Sequence, residues 1–155
     1  MYAVIRLRGS VNVRPEARDT LRMLRLQKVN HCVLLPEGKT YEGMLREAKD
    51  YIAWGKVSKK AVEELLRRRG RTEGGGRLTD EWLKKNTKFT STGKLAEALY
   101  GGKVEMKGVK GLKPLLRLHP ARGGLGEKGT KRTFSEGGVL GNWGDKIDGL
   151  LERMR

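Results

Sequence analysis

Gly124, Gly126 and Gly129 stand at the spacing of a dinucleotide-binding turn, in which glycines let the backbone approach a pyrophosphate at a helix N-terminus. That chemistry needs a helix after the last glycine, and KGTKRTF, residues 128–134, has no helix-forming stretch to receive the phosphates. Gly38, Lys39 and Thr40 match the last three positions of a phosphate loop, but the residue five before Gly38, where the loop requires glycine, is Val33. A turn followed by a helix cap at Thr40 accounts for them. The metal-ligand inventory is two histidines and one cysteine: His31 beside Cys32, and His119 far along the chain. Neighbours on a strand point to opposite faces, and neither CxxC nor HExxH occurs, so no metal site is expected. Cys32 lies in the apolar run CVLL and reads as a buried thiol; a single cysteine excludes an internal disulfide. No serine sits in a nucleophile elbow, and the adjacent carboxylates Glu63 and Glu64 fall on a helix surface among basic neighbours. The expectation is no catalytic residue, no cofactor and no enzyme.

What remains is charge. Thirty-four Lys and Arg face eighteen Asp and Glu, a formal charge of +16 in 155 residues. Self-repulsion on that scale implies a polyanionic partner. A membrane is excluded as that partner, because no run approaches the roughly 18 apolar residues of a spanning helix. The N-terminus MYAVIRLRGS also lacks a signal-peptide core, so a cytoplasmic protein is expected. Residues 1–57 hold 11 basic and 6 acidic groups and the remainder 23 and 12, so the excess is +5 and +11 respectively. Segment 103–132 alone carries nine basic and two acidic residues, and twelve of the 22 glycines fall in 101–144. Cations on a glycine-rich backbone can follow a phosphate ridge closely, which suits folded RNA better than a regular duplex.

The elements that position these cations divide at residue 57. Residues 2–8 alternate, with Ala3, Ile5 and Leu7 on one face and Arg6 and Arg8 on the other, as in a half-buried strand. Pro15 opens a helix in which Ala17, Leu21 and Leu24 recur, with Arg18, Arg22 and Arg25 opposite. HCVLLP is a second strand, a helix through about Lys49 follows, and YIAWGKV, residues 51–57, is a third strand. The order β-α-β-α-β predicts a small sheet with both helices on one face. Beyond it, Ser58 caps a helix through Arg69, stopped at Gly70, and two short helices follow, one from Thr79 and one from Thr92 to Tyr100. A ribbon of about 101–141 comes next, too poor in apolar surface to order itself without a partner, although PLLRLH, 114–119, has strand character. A final helix over 142–155, capped by Asn142, carries Trp143, Ile147, Leu150, Leu151 and Met154 as its apolar stripe.

RLRGS at 6–10, TLRMLRLQKVNHCVLL at 20–35 and MLREAKDYIAWGKV at 44–57 resemble the core of a large-subunit ribosomal protein family. The family is called L-thirty in bacteria and L-seven in eukaryotes. RLHPARGG, EGGVLGN and the closing LLERMR resemble the extension of its archaeal-type members, so the resemblance spans essentially the whole chain. It implies an α+β, ferredoxin-like fold: a three-stranded antiparallel sheet with two helices on one face over 1–57, and an extension over 58–155. It also implies one copy in the large subunit, bound to large-subunit (23S-type) rRNA near the 5S rRNA and beside other ribosomal proteins, with no homo-oligomer. The residues expected to contact phosphates are Arg14, Arg18, Arg22, Arg67, Arg68, Arg69, Arg71, Lys107, Lys110, Lys113, Arg122, Lys128, Lys131 and Arg132. Two alternatives stand beside this reading: a free-standing basic DNA- or RNA-binding module, and a nucleotide-dependent enzyme built on residues 124–129.

Overall fold

A computed structural model describes residues 1–126 and 128–155. β1 (Tyr2–Arg6), α1 (Pro15–Met23), β2 (His31–Leu35), α2 (Lys39–Glu47) and β3 (Ile52–Lys56) follow the order that the apolar pattern predicts. β1 lies between β2 and β3 and runs antiparallel to both, with Val4 opposite Val33 on one side and Trp54 on the other.

Three strands are not the whole sheet. β4 (Leu116–Arg117) adds antiparallel to β2 and β5 (Gly141–Asn142) adds parallel to β3, giving the order β4-β2-β1-β3-β5. The physical reason is that β2 and β3 each left an edge of unpaired backbone groups, and the extension supplies the partners. β4 falls inside the run read as strand-like; β5, two residues beginning with glycine, carries no such signal.

Both faces of this sheet are covered, so β1 is not half-buried. Val4, Val33 and Ile52 pack with Ala17, Leu21 and Leu45 of α1 and α2, which share one face as expected. Ala3, Ile5, Cys32, Leu34 and Ala53 point the other way, into a larger cluster. That cluster is completed by α3 (Lys59–Arg69), α4 (Asp80–Asn86), α5 (Thr92–Tyr100) and α6 (Ile147–Met154) through Val62, Leu66, Leu83, Leu95, Leu99 and Leu150. Arg6, expected on a wet face, is only 4% exposed. All five of its N–H directions are satisfied by neutral oxygens: Nε by Arg8 O, Nη1 by Leu26 O and Gln27 O, Nη2 by Gly9 O and Ser10 Oγ.

Local signals set most of the helix ends. The Ser58 and Thr79 hydroxyls accept from the Ala61 and Trp82 N–H groups at 3.2 and 3.3 Å. α5 keeps its expected bounds and is capped by Ser91, whose Oγ accepts from Lys94 N–H. Thr40 is not a cap, because α2 starts one residue earlier, directly after Gly38. Asn142 does not cap α6 either: it lies in β5, and its Oδ1 accepts from Gly144 N–H at 2.9 Å to open a 3-10 turn, Gly144–Lys146, that leads into the helix. That turn crosses β3 at Gly55, where a Cβ would lie 2.2 Å from Gly144 O and 2.8 Å from Ile147 Cβ. Glycine there is what lets the end of the chain lie on the sheet.

The ribbon is more ordered than its composition implies. Met106, Val109, Leu112, Leu118, Val139 and Leu140 are buried in the larger cluster. Apart from the adjacent Val139 and Leu140, these residues are spaced singly in a stretch rich in glycine and lysine, so the segment reads as polar on average while still sending side chains inward. No helix among the described residues is long and apolar enough to cross a membrane.

Candidate nucleic-acid interface

The fourteen cations expected to face phosphate occupy three places. Arg14, Arg18 and Arg22 follow one another at i+4 along the outer side of α1, because Ala17 and Leu21 turn inward, and all three are exposed. Arg14 is the one held by a carboxylate, with Nη2 3.4 Å from Asp50 Oδ2. This group lies on the α1 and α2 side of the sheet.

The second group gathers on the other side, where α3 ends. Arg67, Arg68 and Arg69 fill its last turn, a position where the unsatisfied carbonyls favour cations. Arg67 and Arg68 are exposed, Arg68 with its Nε 3.3 Å from Glu64, and Arg69 and Arg71 are half-buried. The Nε of Arg69 is shielded from solvent and has no hydrogen-bond partner among the described residues. Gly70 permits the sharp exit, since a Cβ there would lie 2.4 Å from Leu66 O. Residues 71–77 then fold back, with Arg71 bridged to Arg77 and Thr72 N–H donating to Gly76 O. The far side of this turn is held by the ribbon: Thr72 bridges Leu112, Glu73 N–H donates to Gly111 O and Lys113 N–H donates to Arg71 O at 2.9 Å. Lys113 is thereby fixed beside Arg71, with exposed Lys110 just before it and exposed Lys107 in the 3-10 turn Met106–Gly108. Arg77 joins this group without standing among the fourteen; the run RTEGGGR, residues 71–77, whose glycines mark a tight turn between two arginines, is the signal that points to it.

The third group lies on the later ribbon. Its start is tied to the end of α6, where His119 N–H and Arg122 N–H donate to Met154 O and Arg153 O at 2.8 and 3.0 Å. The last carbonyls of a helix, otherwise without partners, thus hold the ribbon in place. Arg122, Lys128, Lys131 and Arg132 follow, all four exposed, and Lys128 Nζ donates to Glu136 O. Beyond them Phe134 stacks on Trp143 with ring centroids 4.2 Å apart, and Trp143 Nε1 donates to Val139 O. The ribbon is therefore pinned at both ends, with its cations between. Among the described residues, only Arg14 and Arg68 of the fourteen have a carboxylate within ion-pair distance.

The other chemistry-bearing residues are absorbed by the fold. Burial pushes the Cys32 thiol up to about 12, leaving it a packed, unreactive group. His31 is buried, its Nδ1 accepting the Lys28 N–H, and burial followed by Arg117 depresses its proton affinity. Gly124, Gly126 and Gly129 all adopt positive φ in turns, with a 3-10 turn, Gly129–Lys131, rather than a helix after them. Glu37, next to Gly38, pairs with the N-terminal ammonium and Lys56. The described residues contain no group of three or more potential metal ligands.

Sequence comparisons bear on what meets these cations. The family described as ribosomal protein L30p/L7e matches residues 2–52. Over 155 residues, covering both chains completely, the sequence is 50% identical to the large ribosomal subunit protein uL30 of Methanocella arvoryzae. It is 48% identical to that of Methanocorpusculum labreanum and 46% to that of Methanoculleus marisnigri, again over the whole of each chain.

Proposed function

From the premise that the chain belongs to the uL30 (L30p/L7e) family of large-ribosomal-subunit proteins, we propose that it binds large-subunit rRNA by phosphate contact, in the neighbourhood of the 5S rRNA. It is a structural constituent of the ribosome, as its relatives are named, and not an enzyme. The proposed contacts are the three groups above. The α1 arginines belong to an anchoring core over 1–57, and the α3 end and ribbon to an RNA-facing extension over 58–155. One copy per subunit, against rRNA and neighbouring ribosomal proteins, completes the reading.

The observation that carries it is the state of the fourteen cations: twelve have no carboxylate partner among the described residues, yet the backbone beneath them is tied down. A solvated surface does not need that bracing. A phosphate-binding surface gains from it, because cations already in place lose less freedom on contact.

Binding of the full chain to protein-stripped large-subunit rRNA, titrated with salt, tests the proposal. Log affinity should fall linearly with log salt, by about 0.7 to 0.9 per neutralised phosphate. Alanine at Lys128, Lys131 and Arg132 together should weaken binding and flatten that slope. Absent or salt-insensitive binding overturns the reading, and crosslinks from the ribbon that never reach 5S rRNA remove its placement there.

A further inference from the structure

β4 closes only part of the outer edge of β2. Leu118 N–H donates to Asn30 O and β4 pairs with His31 and Cys32, so the carbonyls that β2 turns away from β1 belong to alternate residues, Asn30, Cys32 and Leu34. The position opposite Leu34 falls to Pro114, which has no N–H to donate. Among the described residues neither the Leu34 N–H nor its C=O has a partner on this side, although Leu34 is only 8% exposed. Buried backbone groups are nearly always paired, and an open edge is where another chain can add as a strand.

A groove of about 210 Å³ lies along this stretch, on the seam between the two layers. Met23, Leu24 and Met44 line it from the α1 and α2 side, and Leu99, Val104 and Met106 from the other. Its volume is below the roughly 300 Å³ at which small-molecule sites begin, and it suits aliphatic side chains. Met23, which is 66% exposed, stands at its mouth. RNA has no groups that pair as a strand does, and its charged backbone gains nothing from apolar walls. An extended polypeptide meets both demands, because its backbone bonds the edge while its side chains enter the groove. The charged lining residues are Arg25, Lys107 and Glu105, a net positive rim. Arg25 is exposed and has no carboxylate within ion-pair distance among the described residues, so a carboxylate on the occupant complements it.

We propose that this groove binds an extended segment of a neighbouring ribosomal protein. The segment adds to the sheet through the Leu34 N–H and C=O, lays aliphatic side chains between Met23 and Val104, and presents a carboxylate to Arg25. The proposal rests on the reading that the chain stands beside other ribosomal proteins, and on none of the phosphate contacts.

The photocrosslinker p-benzoylphenylalanine, placed at Met23 and in a second variant at Glu105, tests it in assembled large subunits; the two positions line the groove from opposite layers and both are exposed. Both should crosslink to the same extended segment of one ribosomal protein, a segment with aliphatic residues and a carboxylate beside them. A synthetic peptide of that segment should bind the free full chain and slow exchange of the Leu34 amide at least tenfold. N-methylating the peptide backbone at one alternate set of residues should weaken binding at least tenfold and at the other set leave it unchanged, as a strand bonded along one edge requires. Met23→Glu, which sets a carboxylate against the occupant's own, should weaken binding to a similar degree, with an unchanged thermal melt to show that the variant folds. Crosslinks to rRNA alone or to a second copy of this chain overturn the proposal. So does the absence of crosslinks in subunits that contain the labelled chain, or a peptide whose binding ignores N-methylation at both sets. Crosslinks to the protein segment together with failure of the free chain to bind stripped rRNA would overturn the rRNA reading and leave the groove standing.

Discussion

The two layers that sandwich the sheet are built differently. α1 and α2 come from between the strands that they cover, and the fully buried members of their cluster all lie within the first 52 residues. The opposite layer is assembled from α3 through α6 and from single ribbon residues, with its last member at Met154. The matched family segment, residues 2–52, contains the first layer and none of the second. Yet Ala3, Ile5, Cys32 and Leu34, all within that segment, point into the second. In this chain the extension is half of the core as well as a carrier of charge.

The harshest way to break the comparison is to cut after residue 57. The fragment would expose Ile5, Leu34 and Val57 among others, each worth about 1.5 to 3 kcal/mol when buried. It should lose cooperative unfolding and aggregate, as read by circular dichroism and sedimentation; a soluble fragment with a sharp melt would make the second layer an accessory. A matched pair of substitutions is milder. Leu21→Ala in the first layer and Leu95→Ala in the second, at residues 1% and 0% exposed, should each cost about 3 kcal/mol in one shared denaturant transition. A split transition for Leu95→Ala alone would mean that the layers unfold separately.

Arg6 sharpens the comparison because it serves only the α1 side and its loops. Lysine has three donors where the guanidinium has five, so Arg6→Lys should destabilise by about 2 kcal/mol. Exchange of the Arg8 and Asn30 amides should speed up more than exchange in α5, and uniform acceleration would instead make Arg6 part of the global core. The smallest effect is on pH. His31 is held neutral, so as pH falls through about 6.5 the unfolded chain binds a proton that the folded chain resists. Stability is complete above that pH and declines toward pH 5, before the carboxylates titrate. Denaturant midpoints from pH 5 to 8 should show the decline and His31→Gln should flatten it; a flat wild-type profile would contradict the buried neutral ring.

Much of this was legible in the residues. Ser58 and Thr79 cap their helices, and α5 runs from Thr92 to Tyr100, because caps, glycine stops and helical spacing act over a few residues. The positions of the candidate cations were legible too, since i+4 spacing puts Arg14, Arg18 and Arg22 on one face of whatever helix forms. Arg6 was not, because an arginine alternating with apolar residues has the pattern of a solvated face, and the carbonyls that neutralise its burial come from residues 8–9 and 26–27. The meeting of Lys113 with the Arg71–Arg77 turn was equally hidden, as it depends on hydrogen bonds between residues some forty positions apart.

The sequence by itself determined the element order, the net charge of +16 and the surplus of cations over acids that selects a polyanion. Those properties are local or additive, so they can be read residue by residue. Tertiary structure alone decided that the sheet has five strands and two covered faces, that Arg6 is a rivet and not a contact, and that the cations stand in separate groups on both sides of the sheet. Each of those depends on which distant backbone groups and side chains meet, and a linear pattern of residue types does not encode the meeting.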